Sequence, residues 1–256
     1  MKELDITLQS YTADYKKVDF MYEQFLRLKE KVDEVLLFGP CNSDAAEEAK
    51  KVYYSRRDKQ GQRPFFSPQY RKDKLDALPA VIASSLSLST APQTMGKPAE
   101  VYEHFFKLAY LYGTGTCEFY AIVGAYFLAT EFDVELSIET IYSEQSHTYI
   151  RLHTSSEFAM DFWSPMLCLY TDTISWNEFF GSRYMRDAGS EIKQHIRLNK
   201  EELLAMGKRV FSEENTELRL HLIEEVLLLV RQESGTEASD KESDLKSSEC
   251  SGNAIQ

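Results

Sequence analysis

The chain has 256 residues, 43% of them hydrophobic and 12% aromatic, and a formal net charge of -12. That much apolar material builds a full core and excludes a wholly disordered chain. The acidic balance excludes general attraction to nucleic acid phosphates or anionic lipids, which need clustered cations.

The cysteines, Cys41, Cys117, Cys168 and Cys250, are widely separated and form no C-x-x-C pair, so neither a zinc site nor a disulfide framework is expected. The opening MKELDITLQS lacks the apolar region of an export signal, and runs such as AIVGAYFLA are too short to cross a bilayer about 30 Å thick. The expectation is a protein without a membrane span, cytoplasmic where it is made.

Between Asp14 and Phe38, Val18, Met21, Tyr22, Phe25, Leu28, Val32 and Val35 recur at helical spacing, and Gly39-Pro40 supplies a stop. A second helix is predicted from Ser43, a capping residue, fading near Arg57. Lys50 to Lys74 carries nine Lys or Arg against Asp58 and Asp73. This excess could dock an acidic partner, while a solvated helix end and a loop around Pro64 and Pro68 is the simpler account.

Pro98 suits a first helical turn, and Val101, Phe105, Leu108 and Tyr112 form the stripe that follows it. After Gly113-Thr114-Gly115-Thr116, the run CEFYAIVGAYFLATEF is apolar on nearly every side, which predicts a helix buried in mid-core with Cys117 at its start. Alternation then sets Val134, Leu136 and Ile138 on one side of a strand, and Thr148, Ile150 and Leu152 on one side of the next. A third extended run, Phe158 to Trp163, carries Asp161. The predicted fold class is α+β: an antiparallel β-sheet packed on a central Cys-bearing helix, with additional N- and C-terminal helices. Of two C-terminal helices, the first opens with Asn199 and Glu202 at capping-box spacing, and the second carries Leu218, Leu222, Val226 and Leu229. The Ser-, Glu- and Asp-rich tail 234–256 is expected to be disordered.

A thiol attacks a carbonyl as thiolate, and a helix N-terminus or a nearby imidazolium lowers its pKa from about 8.5. Cys117 has the first of these, and its own amide can point at a developing oxyanion, with Gly115 allowing close approach of a substrate. A second donor is open between Tyr112, Gln93 and Gln145. His147 opens the strand HTYIRLH and is placed to take the thiol proton. Asp161, 14 residues on, falls on an adjacent antiparallel strand, where it can hold the imidazole.

The pieces GTGTCEFYAIVGAYFL, SHTYIRLH and AMDFWSP resemble the core of transglutaminase-like proteins, within the papain-like group of cysteine enzymes. The likeness runs from about Leu108 to Pro165. Two details differ from the commoner pattern: Tyr149 stands where Trp often follows the His, and Phe162-Trp163 follow Asp161. The resemblance implies a Cys117-His147-Asp161 triad and a thioester intermediate. It also implies amide hydrolysis, glutamine deamidation or, ranked third, amine transfer on a protein or peptide substrate. It requires no metal or other cofactor. On this reading one catalytic domain spans 1–233, with helical additions at 1–95 and 199–233. The acidic surface and appended helices are also similar to bacterial proteins delivered into host cells.

Simpler roles are assigned to other residues. Cys41 and Cys168 are expected to be packing cysteines, and His153 to face solvent near a turn. His104, His195 and His221 are read as surface or satisfied histidines, and Glu118 as an acid answering the helix dipole. Trp163 is expected to line the cleft. The alternative function is a non-catalytic binding module that uses 50–74 or the C-terminal helices, with the thiol silent.

Overall fold

The run from Cys117 to Glu131 forms a helix with ten of its fifteen residues buried, including Phe119, Ile122, Val123 and Leu128, too many for a helix lying on a surface. The other described elements of the main core are arranged around it. A computed structural model of the chain describes residues 3–37, 39–40, 98–143, 146–180, 186–187 and 189–224. In chain order these form α1 (Glu3–Ser10), α2 (Asp14–Val35), β1 (Gly39–Pro40), α3 (Pro98–Tyr112), β2 (Thr114–Gly115) and α4 (Cys117–Glu131). There follow β3 (Glu135–Tyr142), β4 (Ser146–His153), β5 (Phe158–Asp161), β6 (Met166–Leu169), α5 (Thr173–Phe180), β7 (Glu191–Asn199) and α6 (Lys200–Val210). A last helical stretch covers 213–224.

β3 to β6 form an antiparallel meander, and β7 joins the free edge of β3, giving the order β6-β5-β4-β3-β7. Alternation decides what each face meets. Leu136, Ile138, Ile150 and Leu152 point to the side of α4 and share one core with its residues, together with Met21, Phe25 and Val32 of α2 and Phe105 and Phe106 of α3. Each such fully buried side chain is worth about 1.5–3 kcal/mol. The opposite face carries Ile141, Tyr149, Ala159 and Met166, closed over by Trp176 of α5. The α+β class, the central Cys-bearing helix and the antiparallel sheet agree with expectation; α1, β6, α5 and β7 are additions to it.

Gly124 brings α4 onto the turn after β5. A Cβ there would lie 2.2 Å from Phe162 Cδ2, and Phe162 itself sits 4.8 Å, ring to ring, from Phe25. Gly124→Ala is therefore expected to cost about 1–3 kcal/mol through overpacking, read as a lowered urea midpoint with an unchanged slope.

The capping box of α6 is present: Asn199 Oδ1 accepts from the Glu202 amide at 3.0 Å, and Glu202 Oε2 accepts from the Asn199 amide at 2.9 Å. Of the stripe expected in the helix after it, Leu222 is half-buried but Leu218 does not face inward. Leu218 is 42% exposed, while Asn215 and Arg219, four residues apart, take the inward side. The reason is the demand of other helix ends. Arg219 donates to the carbonyls of Glu34 and Val35 at the end of α2, and to that of Tyr110 at the end of α3. These carbonyls have no intrahelical donor, and a cation there also answers the helix dipole. Val226, Leu229, the helix expected from Ser43, the basic segment 50–74 and the tail 234–256 lie outside the described residues.

Among the described residues no helix is long and apolar enough to cross a membrane.

Candidate active site

The approach to Cys117 is a constrained turn. α3 ends at Gly113, whose φ of 65° is the left-handed conformation that glycine adopts without penalty. Thr114 and Gly115 then pair in parallel with Gly39 and Pro40, and Thr114 Oγ1 donates to the Gly39 carbonyl at 2.6 Å. At Gly115 a Cβ would stand 2.4 Å from the Phe119 side chain, so the turn can lie against the first turn of α4 only without one. Cys117 is the first residue of α4 and is 8% exposed.

His147 is the second residue of β4, opposite Ile141 of β3. The β4–β5 register, with Ile150 across from Met160, puts Asp161 diagonal to His147 on the same face. His147 Nε2 lies 2.6 Å from Asp161 Oδ2, and the two side chains are 1% and 2% exposed. Asp161 Oδ1 accepts from the Trp163 amide at 2.9 Å, which fixes the carboxylate plane. The Trp163 ring, 4% exposed, lies 5.1 Å from the imidazole and shields it from water. The expected His-Asp pairing is thus present, with Trp163 beside it.

The state of the thiol differs from expectation. A helix N-terminus alone would lower its pKa, but here burial pushes it well up, with the Glu118 charge and, less strongly, Asp161 acting in the same direction. The backbone amide of Thr148, next to His147, donates toward the sulfur and opposes them. Cys117 Sγ donates to Glu118 Oε2 at 3.3 Å, and Thr116 Oγ1 donates to the same oxygen at 2.6 Å. Glu118 therefore does more than answer the helix dipole.

Two further residues missed by sequence reasoning stand near this group. Tyr102 of α3 is 3% exposed. Burial, then the charges of Glu118 and Cys117, push its phenol upward, so it stays a donor. Only its helical position next to Val101 marked it as inward. His195, read from the sequence as a surface or satisfied histidine, lies on strand β7. A bulge where β7 pairs with β3 at Ile138 and Glu139 re-aims it, so that Nε2 lies 2.8 Å from Thr140 Oγ1, which in turn is 2.7 Å from Thr148 Oγ1. Burial lowers its pKa, helped by Lys193 and opposed by Glu118.

Of the other candidates, Tyr112 is half-buried against the large core, and Gln93 and Gln145 lie outside the described residues. His153 does not face solvent: its ring is held between Glu157 Oε1 and Ser137 Oγ, each at 3.0 Å. Cys168 is buried in the smaller core, its thiol pushed up to about 12 by burial, as suits a packing cysteine. Among the described residues no group of three or more His, Cys, Asp or Glu side chains is placed to hold a metal ion. The chain matches no family model, no curated protein and no solved structure.

Proposed function

We propose that Cys117, His147 and Asp161 act on a papain-like core as nucleophile, base and orienting carboxylate in cleavage or transfer at an amide of a protein or peptide. The observation that carries this reading is the buried 2.6 Å contact between His147 and Asp161, set beside the N-terminus of the Cys117 helix. With Nε2 committed to Asp161, Nδ1 is the ring nitrogen for the thiol proton. The thiolate adds to the carbonyl carbon, and the oxyanion meets the Cys117 amide, which has no intrahelical acceptor, and the Tyr102 hydroxyl. Collapse expels the amine, which takes the proton from His147, and leaves a thioester. Water or a second amine then releases the acyl group. Peptide or isopeptide cleavage and glutamine deamidation rank ahead of amine transfer.

The test is acylation of the full chain by an activated ester, followed by mass measurement of the intact protein. One acetyl group should appear on Cys117, none on Cys117→Ser, and His147→Ala should slow acylation by about ten thousand-fold or more. Equal rates with and without the imidazole would overturn the assignment.

One observation favours a second reading, a protein-binding module with a silent thiol: the sulfur is nearly buried and held protonated. Leu218 and Leu220, both well exposed on 213–224, would belong to its contact surface. An unreactive Cys117 in the acylation experiment would support it.

A further inference from the structure

The single hydrogen bond that the Cys117 side chain is seen to donate goes to a neighbour on its own helix. Glu118 Oε2 lies 3.3 Å from Sγ, and the Thr116 hydroxyl, 2.6 Å from the same oxygen, holds the carboxylate there. Thr116 is at the N-cap of α4 yet makes no side-chain capping bond to the helix amides; its hydroxyl serves Glu118 instead. The three residues thus form a closed set, with a donor on each side of one carboxylate oxygen.

We propose that Glu118 is a positioning residue that keeps Cys117 at rest, its carboxylate receiving the thiol proton in a hydrogen bond that must open before His147 can take that proton. The inference rests on Cys117 as nucleophile and His147 as its base. Removing the proton from Cys117 with Glu118 in place would set two negative charges within hydrogen-bonding distance, which disfavours the thiolate. The groups around them do not cancel this. From α3 comes Tyr102, from β3 Tyr142 with Glu191 beside it, and from β5 Asp161; each is neutral or negative where Glu118 is charged. Among the described residues the counter-group facing them is His195 of β7, and burial and Lys193 both favour its neutral form.

Glu118 is half-buried and Cys117 is buried, so the carboxylate has solvent to swing toward while the thiol does not. Opening is therefore a side-chain rotation of Glu118 and needs no movement of α4. A cleft occupant that gives Glu118 a donor of its own, such as a backbone amide or an ammonium group, holds it open. His147 then becomes the base nearest in role to the thiol. A site at rest until occupied protects the thiol from adventitious electrophiles.

The experiment follows the thiolate directly, by its far-ultraviolet absorbance against pH, in the full chain with Cys117→Ser as the blank. Glu118→Gln keeps an acceptor for Thr116 and removes the charge. It should lower the titration midpoint by about one pH unit, giving about tenfold more thiolate at neutral pH, and acylation by the activated ester should rise about tenfold. Thr116→Ala, which frees the carboxylate without removing it, should shift both in the same direction by less. An unchanged or raised midpoint in Glu118→Gln overturns the proposal, and so does slower acylation, which would make Glu118 the base itself. His147→Ala separates the two readings. If Glu118→Gln behaves as expected and His147→Ala acylates normally, the resting role stands and the assignment of His147 falls. The reverse pattern leaves the triad standing and removes the resting role.

Discussion

Asp161→Asn is expected to slow acylation of Cys117 by about ten thousand-fold while barely moving the unfolding midpoint. Asp161 accepts with both oxygens, Oδ1 from the Trp163 amide and Oδ2 facing His147 Nε2. The asparagine oxygen fits the amide, which leaves its NH2 group against Nε2. That nitrogen must then accept, so the ring proton moves to Nδ1, the nitrogen required to receive the thiol proton. The fold keeps its hydrogen bonds and the base is occupied. The nitrogen chemical shifts of His147 report the tautomer without any substrate: Nε2–H in the natural chain and Nδ1–H in the variant. Asp161→Ala should differ in kind, losing about 1–3 kcal/mol for each orphaned buried partner. An Asp161→Asn protein that acylates at the natural rate would show that Asp161 plays no part in orienting the base.

The largest expected loss of stability is at Glu139, on the face of the sheet turned away from the body of α4. Glu139 is 2% exposed, and its carboxylate accepts from Ser137 Oγ at 2.9 Å, Tyr149 Oη at 2.9 Å, Tyr170 Oη at 3.2 Å and Arg151 Nη1 at 3.5 Å. Burial and this carboxylate push the Tyr149 phenol far above its ordinary range, so it remains a donor at every physiological pH. Arg151 is a quarter exposed and can turn to water, which leaves the buried hydroxyls as the main cost of removing Glu139. At about 1–3 kcal/mol for each buried donor left unpaired, Glu139→Ala should lose about 2–5 kcal/mol, read as a fall in urea midpoint. Glu139→Gln, with one acceptor kept, should recover part of it. Tyr149 lies two residues beyond His147 on β4 and packs edge-on to Trp176 at 4.7 Å. The Glu139 cluster and Trp176 thereby fix the strand that carries the base.

The elements legible in the sequence are those whose pattern has one physical meaning. A fifteen-residue run apolar on all sides, as in α4, can only be buried, and Asn199 with Glu202 three residues on has a single geometric use. The His147–Asp161 pairing was legible because strand alternation and a short turn leave few registers for residues 14 apart. What was hidden depends on directions that spacing does not encode. β7 is an edge strand of mostly exposed residues, EIKQHIRLN, so it shows little alternation, and its bulge carries His195 out of the simple register. Leu218 reads as an inward residue until the carbonyl ends of α2 and α3 claim that side of the helix for Arg219. Glu118 suits a helix N-terminus whichever way it turns; the Thr116 hydroxyl decides that it turns to the sulfur. The pairing of a hydroxyl at the N-cap with an acid two residues on was the available signal.

The short parallel bridge between Gly39-Pro40 and Thr114-Gly115 has a practical meaning for anyone trimming this protein. The glycine bend that presents the sulfur is tied to the end of α2, and Arg219 clasps that same end to α3. A fragment begun at Pro98, though it would keep thiol, imidazole and carboxylate, would give up the anchorage of the bend and expose the flank of α4 that Phe25 and Val32 cover. The leading helices are foundation rather than ornament, and any shortened version intended for biochemistry should begin ahead of them.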